Sequence, residues 1–447
     1  MSFYCAELPY QFDASRYYAA LADLPWAVWL DSGGMARYDI LVAAPHHTLI
    51  LDEGRTQGDP FALLRSELGE QAEPIANVPF AGGALGYWSY DLARRMMILP
   101  GIAQAAGQLP DMAVGIYDWA VVLDHQQHTA RLVSHQRFSE TAQLLPQLLS
   151  RLQSGSQLPS DNFCVRGAIT SNFTSDSYAA AFALVQGYLQ AGDCYQVNLA
   201  QRFRADAAGD AFGAYLNLRK LSPAPYAAFL NLPQLQILCA SPECFVSVQN
   251  GKVKTKPIKG TRPRSSDDRQ DRLLAEELRN HTKDRAENLM IVDLLRNDLG
   301  KSCVPGSVRV PELFKVESFA NVHHLVSTVE GRLAAGRDAL DVLRDCFPGG
   351  SVTGAPKLRA MQIIDQLEPD RRGIYCGAIG YVGFDGNMDS NIAIRTLVYD
   401  KSEVCCWAGG GIVADSNLAE EHQETLHKAS AMLKLLRQYG GKSAYAA

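Results

Sequence analysis

The chain has 447 residues, 47% of them hydrophobic and 20% charged, and a formal net charge of −6. That composition supports a core for one large or two modest globular domains. Without a basic stripe, nucleic acid is not an expected partner. Glu7, Asp13, Arg16 and Asp23 interrupt any secretory signal core, and no apolar run is long enough to span a bilayer. A cytoplasmic location without membrane attachment is therefore expected. The ten cysteines show no C-x-x-C pair and no zinc spacing, and they read as small buried hydrophobes in a reducing compartment.

In chain order, residues 27–30, 40–43, 83–88, 114–123 and 130–133 read as strands. Residues 139–152 form a helix with Leu144, Leu145, Leu148, Leu149 and Leu152 on one stripe. A turn-rich stretch, 154–160, then divides the chain into an N-terminal subdomain (1–160) and a second region (161–447). Beyond it, 178–190 and 211–221 read as helices, and 194–203 and 226–230 as strands. Ser265 or Ser266 caps a helix whose first turn carries Asp267 and Asp268, matching the helix dipole. Residues 285–299 and 357–367 are helical, and 377–383, 391–399 and 403–408 are strands. A last helix, 418–438, follows Asn417, which with Glu420 three residues on resembles a capping box. No βαβ rhythm appears and no G-x-G-x-x-G follows a strand. The expected fold class is α+β, with large antiparallel sheets packed as a sandwich and helices outside.

Asn250-Gly251 is a strong hairpin signal, because both turn positions favour φ > 0. A two-residue loop there sets the register of the flanking strands. Lys252, Lys254 and Lys256 then share a wet face, while Val253, Thr255 and Lys259 share the other. Lys259 falls opposite Pro242, one step from Glu243 in Ser241-Pro242-Glu243, and a bulge near Pro242 or Pro257 is needed to bring the two together. A lysine beside a carboxylic acid suits covalent catalysis with acid assistance.

Other constellations are weaker singly. Asp284 and Glu287 share one helix face, and Glu421, Glu424 and Lys428 share another. Carboxylates from two helices suit a hard cation, but taken alone an ordinary solvated face, with Glu424 and Lys428 as an i,i+4 pair, is the better reading. The glycine-rich run Phe347 to Lys357 leads into a helix whose free N–H groups favour an anion, or serves only to start that helix. Gly409-Gly410-Gly411 ends a strand and lets a ligand, or only a turn, approach the backbone. Arg395 sits among apolar residues and needs an anionic partner, from substrate or from protein. His323-His324 admits catalytic, packed or solvent roles.

Together these elements resemble the chorismate-utilising enzymes, over about residues 171–434. The shared pieces are Tyr195-Gln196-Val197-Asn198-Leu199, Ser241-Pro242-Glu243, Gly260-Thr261, Ala286-Glu287-Asn288, His324-Leu325-Val326-Ser327, Thr353-Gly354-Ala355-Pro356-Lys357, Ile394-Arg395-Thr396, Gly409 to Val413, and Glu421 to Glu424. Members that add water to chorismate carry a lysine where this chain has Gln196. Anthranilate synthases carry Pro-Ile-Ala-Gly-Thr where this chain has Lys259. The Pro-Ile-Lys-Gly-Thr form resembles the branch that aminates chorismate at C4, on the route to 4-aminobenzoate and folate.

The resemblance implies Lys259 as nucleophile and Glu243 as general acid. It implies Mg²⁺ held by Glu287 and Glu424, with Asp284 and Glu421 ordering its waters. It places Gly260, Thr261, His324, Thr353, Tyr375, Arg395, Gly409, Gly411 and Lys428 around chorismate. It also implies ammonia from a separate glutamine amidotransferase subunit, since no cysteine here lies in an amidotransferase context. Leu30-Asp31-Ser32 with Pro225-Tyr226 resembles the family's tryptophan pocket, with Asp31 in place of the usual glutamate. Anthranilate synthesis, or a non-catalytic chorismate or tryptophan sensor, are the alternative readings.

Overall fold

The computed structural model describes residues 3–52, 58–105, 107, 109–319 and 322–440. Among these, two large sheets with antiparallel ladders face one another, one of twelve strands and one of ten. In the larger, the central order runs Ala27–Asp31, Tyr226–Asn231, Gln236–Ser241, Thr396–Tyr399, Glu403–Ile412, Gln196–Ala208. In the smaller it runs Ile258–Pro263, Val322–Arg332, Lys252–Thr255, Cys244–Gln249, Met388–Ile392, Ala378–Gly383, Gly83–Trp88. Strands from both sides of residue 160 share both sheets.

Alternation along the strands builds the layers. In Ala27–Asp31, Val28 points into the core between the sheets, with Val246 and Ile379. Ala27 and Trp29 point outward, to Phe212 and Tyr215 of the helix Phe212–Leu221. The helices Ser139–Ser154 and Leu418–Tyr439 cover the same outer face through Leu145, Leu148, Leu152, Met432 and Leu436. Thr282–Gly300 packs Ile291, Val292 and Leu295 with Val329 of the smaller sheet. The sandwich with helices outside is thus realised. No helix among the described residues is long and apolar enough to cross a membrane.

Two expected strands are each two strands. Residues 114–123 divide into Met112–Tyr117 of the smaller sheet and Ala120–Asp124 of the larger. Asp118 turns the chain between them, its carboxylate accepting the N–H groups of Arg137 (3.0 Å) and Phe138 (2.9 Å). Both strands are buried on both faces, so the apolar run reads as continuous. Residues 391–399 likewise divide, with Arg395 at φ 50° in the connection. Conversely, Glu403–Ile412 continues through all three glycines.

At the helix starts, Asp267 caps Asp268–Asn280, its side chain accepting from Gln270 N–H at 2.7 Å, where Ser265 or Ser266 was expected. Asn417 caps Leu418–Tyr439 as expected, accepting from Ala419 and Glu420 N–H.

Candidate active site

The chain crosses between the sheets at two adjacent points, from the larger to the smaller between Gln236–Ser241 and Cys244–Gln249 and back again between Met388–Ile392 and Thr396–Tyr399. Ser241 Oγ donates to Ile392 C=O (2.6 Å), and Ile392 N–H to Glu243 C=O (3.1 Å), which ties the crossings together. Glu243 and Arg395 sit on them.

The hairpin has the expected register, with Ser247 opposite Lys254 and Val248 opposite Val253. Its outward lysines find carboxylates, Lys252 with Glu330 (2.9 Å) and Lys256 with Glu317 (2.7 Å). Bulges lie near both prolines, as expected. One falls between Cys244 and Val246, the other between Ile258 and Thr261. In the second, Lys259 and Gly260 together oppose Leu325, which turns Lys259 off the regular pleat. Gly260 makes this possible at φ +80°, where a Cβ would meet Asp284 Cγ at 2.8 Å and Leu278 Cδ1 at 2.9 Å. Gly260→Ala is therefore expected to cost about 1–2 kcal/mol and to lower catalysis by moving Lys259. Denaturant melts and rate assays in which both stayed at wild-type values would contradict that.

Glu243 is buried (5% exposed). Its Oε1 accepts the hydroxyl of Ser351 at 2.8 Å, and its carboxylate also takes the Ile258 N–H. Burial pushes its pKa up, opposed by Ser351, Lys259, Ile258 N–H and Lys428. Lys259 is half-buried, and its ammonium reaches Ser351 C=O at 3.4 Å. Burial pushes its pKa down, Lys428 adds to that, and Glu287, Glu243 and Glu424 oppose it. Burial thus favours the neutral form of both groups, a protonated acid beside a free amine. Ser351 escaped sequence reasoning. Its only signal was its place in the glycine-rich run.

That run starts a helix, Lys357–Leu367, and the Lys357 ammonium donates to Asp298 (2.7 Å) and Cys346 C=O (2.6 Å). Thr353 is fully buried and its hydroxyl donates to Gly349 C=O at 3.1 Å.

The acidic helices converge. Glu287 is pushed up by burial, with Asp284 and Glu424 adding to the rise and Lys259 and Lys283 opposing it. Burial also works to raise Glu424, but Lys428, paired at 2.5 Å, outweighs it and the net direction is down. Gly410 leaves room for the carboxylates, since a Cβ there would lie 3.0 Å from Glu421 Oε2 and 3.4 Å from Glu424 Oε1. Among the described residues no three His, Cys, Asp or Glu side chains close to metal-holding distance. The all-oxygen pair Glu287 and Glu424 fits a hard cation that keeps most of its waters. Glu421 accepts from Ser416 (2.6 Å), while Asp284 is turned to His281 (2.9 Å) and Arg262 (3.2 Å).

Arg395 has no ion-pair partner within 4 Å among the described residues. Burial lowers its pKa, and Glu243 is the carboxylate whose field opposes that. His324 is buried, with Nδ1 2.8 Å from Thr261 Oγ1. Burial, with Arg395 adding, pushes it down to about 4, so it is neutral at physiological pH. Lys428 donates to Gly409 C=O at 3.1 Å. Tyr375 is buried between the sheets, stacked on Trp407. Gly411 packs against Gln196, a fully buried amide whose oxygen and nitrogen have no hydrogen-bond partner among the described residues.

Asp31, Pro225 and Tyr226 line a cavity of about 220 Å³ between the sheets, with Tyr38, Tyr381 and Asp389. Asp31's carboxylate is committed to Tyr215 (2.7 Å), Arg219 (2.5 Å) and Gly33 N–H (2.8 Å). Ser32 is buried beside it and gives its N–H to Asp39 (2.7 Å). Asp389 has an Oδ1 without a partner among the described residues, and burial pushes its pKa up to about 7.

Comparison with known proteins agrees with this geometry. The family described as chorismate binding enzyme matches residues 26–434. Aminodeoxychorismate synthase component 1 of Klebsiella aerogenes is 48% identical, over 96% of this chain and 98% of the relative. The Escherichia coli (strain K12) protein of the same name is 48% identical, over 95% and 96%. The crystal structure of anthranilate synthase component I from Streptococcus pneumoniae superposes with a TM-score of 0.80 at 34% identity, covering 89% of this chain and 92% of that one. The chain is a member of the chorismate binding enzyme family.

Proposed function

We propose that this chain aminates chorismate to 4-amino-4-deoxychorismate, on the route to 4-aminobenzoate and folate. The observation that carries the reading is Lys259, pushed toward its neutral form beside Glu243, pushed toward its protonated one. The Lys259 amine attacks C2 of chorismate, the ring double bond shifts, and the C4 hydroxyl leaves as water with the proton of Glu243. Ammonia then attacks C4, the double bond shifts back, the lysine leaves as its neutral amine, and Glu243 regains its proton from the new C4 ammonium. Arg395 pairs with a substrate carboxylate, Thr261 holds the neutral His324 near the ring, and the Gly409 to Gly411 backbone, Thr353, Tyr375 and Lys428 enclose it. Mg²⁺ at Glu287 and Glu424 supplies, when bound, positive charge for the ring carboxylate.

Gln196 supports amination over hydration, because an amide is a poor base for activating water. Ammonia comes from a separate amidotransferase subunit, which the designation component 1 in the relatives supports. The cavity lined by Asp31, Pro225 and Tyr226 is read as a tryptophan-type pocket, with Asp389 available to the ligand's ammonium group.

The test is incubation with chorismate, Mg²⁺ and ammonium. The expected product yields 4-aminobenzoate only after a lyase is added. Fluorescent anthranilate without lyase would instead indicate anthranilate synthesis, and binding without turnover a sensor.

A further inference from the structure

We propose that Ser351 is a positioning residue for the acid step, holding Glu243 by its hydroxyl while its carbonyl orients the Lys259 amine. The inference rests on the roles just proposed for those two residues. One residue touches both. Ser351 Oγ lies 2.8 Å from Glu243 Oε1, and Ser351 O lies 3.4 Å from Lys259 Nζ.

The chemistry of the two contacts differs usefully. A carbonyl only accepts, so a neutral lysine must offer it an N–H, and the nitrogen lone pair then points elsewhere, free for attack. The hydroxyl donates to a carboxylate, so it favours the ionised Glu243 that remains once its proton has gone to the leaving hydroxyl. The Ile258 N–H makes a second contact of the same kind. The other charged or titratable groups acting on Glu243 are Lys259 and Lys428 from the strand and helix beside it, Arg395 on the second crossing, and Cys376.

The turn that carries Ser351 is fixed from both sides. Ser351 lies in the short 3-10 turn Gly350–Val352 and is 7% exposed. Arg372 donates to Val352 C=O at 2.8 Å and is itself held by Glu368 at 2.7 Å in a fully buried pair. Thr353 C=O accepts from Asn198 N–H at 2.8 Å. On the other side a Cβ on Gly350 would strike Leu294 Cδ2 at 2.5 Å, so the turn lies directly on the helix that carries Glu287. Ser351 therefore cannot drift from the two groups it joins.

The experiment compares Ser351→Ala and Ser351→Thr with the unaltered chain, using chorismate, Mg²⁺ and ammonium, with kcat and KM followed across pH. Ser351→Ala is expected to lower kcat roughly 10–100-fold with KM nearly unchanged. It also removes a donor that favours ionised Glu243, so the limb of the pH profile that Glu243 sets moves to higher pH. Ser351→Thr keeps the hydroxyl and is expected to restore most of kcat and the limb. An unchanged kcat in Ser351→Ala overturns the proposal, and so does a lowered kcat with an unmoved limb, which a merely structural lesion produces. Glu243→Gln run in parallel separates the two ideas. If it turns over normally the acid assignment itself fails, whereas if it is inactive while Ser351→Ala is normal, only the role of Ser351 fails.

Discussion

Lys259→Ala is expected to abolish amination of chorismate with ammonium, a loss of ~10³-fold or more, since deleting a nucleophile removes the pathway it opens. The direct readout is intact-protein mass spectrometry with chorismate and Mg²⁺ but no ammonia. The unaltered chain should gain a covalent adduct at Lys259, and the alanine variant none. Burial sets the sign of the pH dependence. Burial holds the Lys259 pKa below its ordinary 10.5, so the reactive amine grows as pH rises and is more abundant at neutral pH than in an ordinary lysine. Normal turnover by the alanine variant would falsify nucleophilic catalysis at this position.

Glu243→Gln should cost about 10²–10⁴ in rate, the usual range for a general acid. It should also suppress the adduct, because the C4 hydroxyl must be protonated as the lysine attacks. The protonated acid is lost as pH rises, and burial raises the Glu243 pKa from 4.5, so that form persists to higher pH than in an ordinary glutamate. Together the two groups give a bell, with the competent form carrying a neutral lysine and a protonated acid, and its limbs belong to the pair. Stability should move the opposite way. A carboxyl whose folded pKa is raised weakens the fold at pH above that value, and the penalty fades as pH falls to its unfolded pKa. Glu243→Gln should therefore melt higher than the unaltered chain at pH 8, with the advantage shrinking toward pH 4. A variant that melts lower at every pH would contradict the assignment of burial as the dominant cause.

Much of this was legible in residue patterns, and the gaps have physical reasons. The Asn250-Gly251 turn set the hairpin register because a two-residue loop leaves no slack, and the outward lysines followed from parity. Bulges near Pro242 and Pro257 were legible because proline is the visible irregularity, and Gly260, free to adopt φ +80°, is where the second absorbs its extra residue. Strands that cross between sheets, at Asp118 and at Arg395, are invisible to periodicity because both flanking stretches are buried on both faces. Ser351 was missed for another reason. Its importance lies in touching Glu243 and Lys259, both distant in sequence, and no local pattern encodes that.

The sharing of both sheets by early and late strands bears on how the protein is made. Gly83–Trp88 completes its ladder only with Ala378–Gly383, and Ala27–Asp31 only with Tyr226–Asn231. During synthesis these early strands must wait, edges unpaired, until most of the chain has left the ribosome. Stalled or C-terminally shortened products should consequently be captured by chaperones or aggregate rather than persist as a folded half.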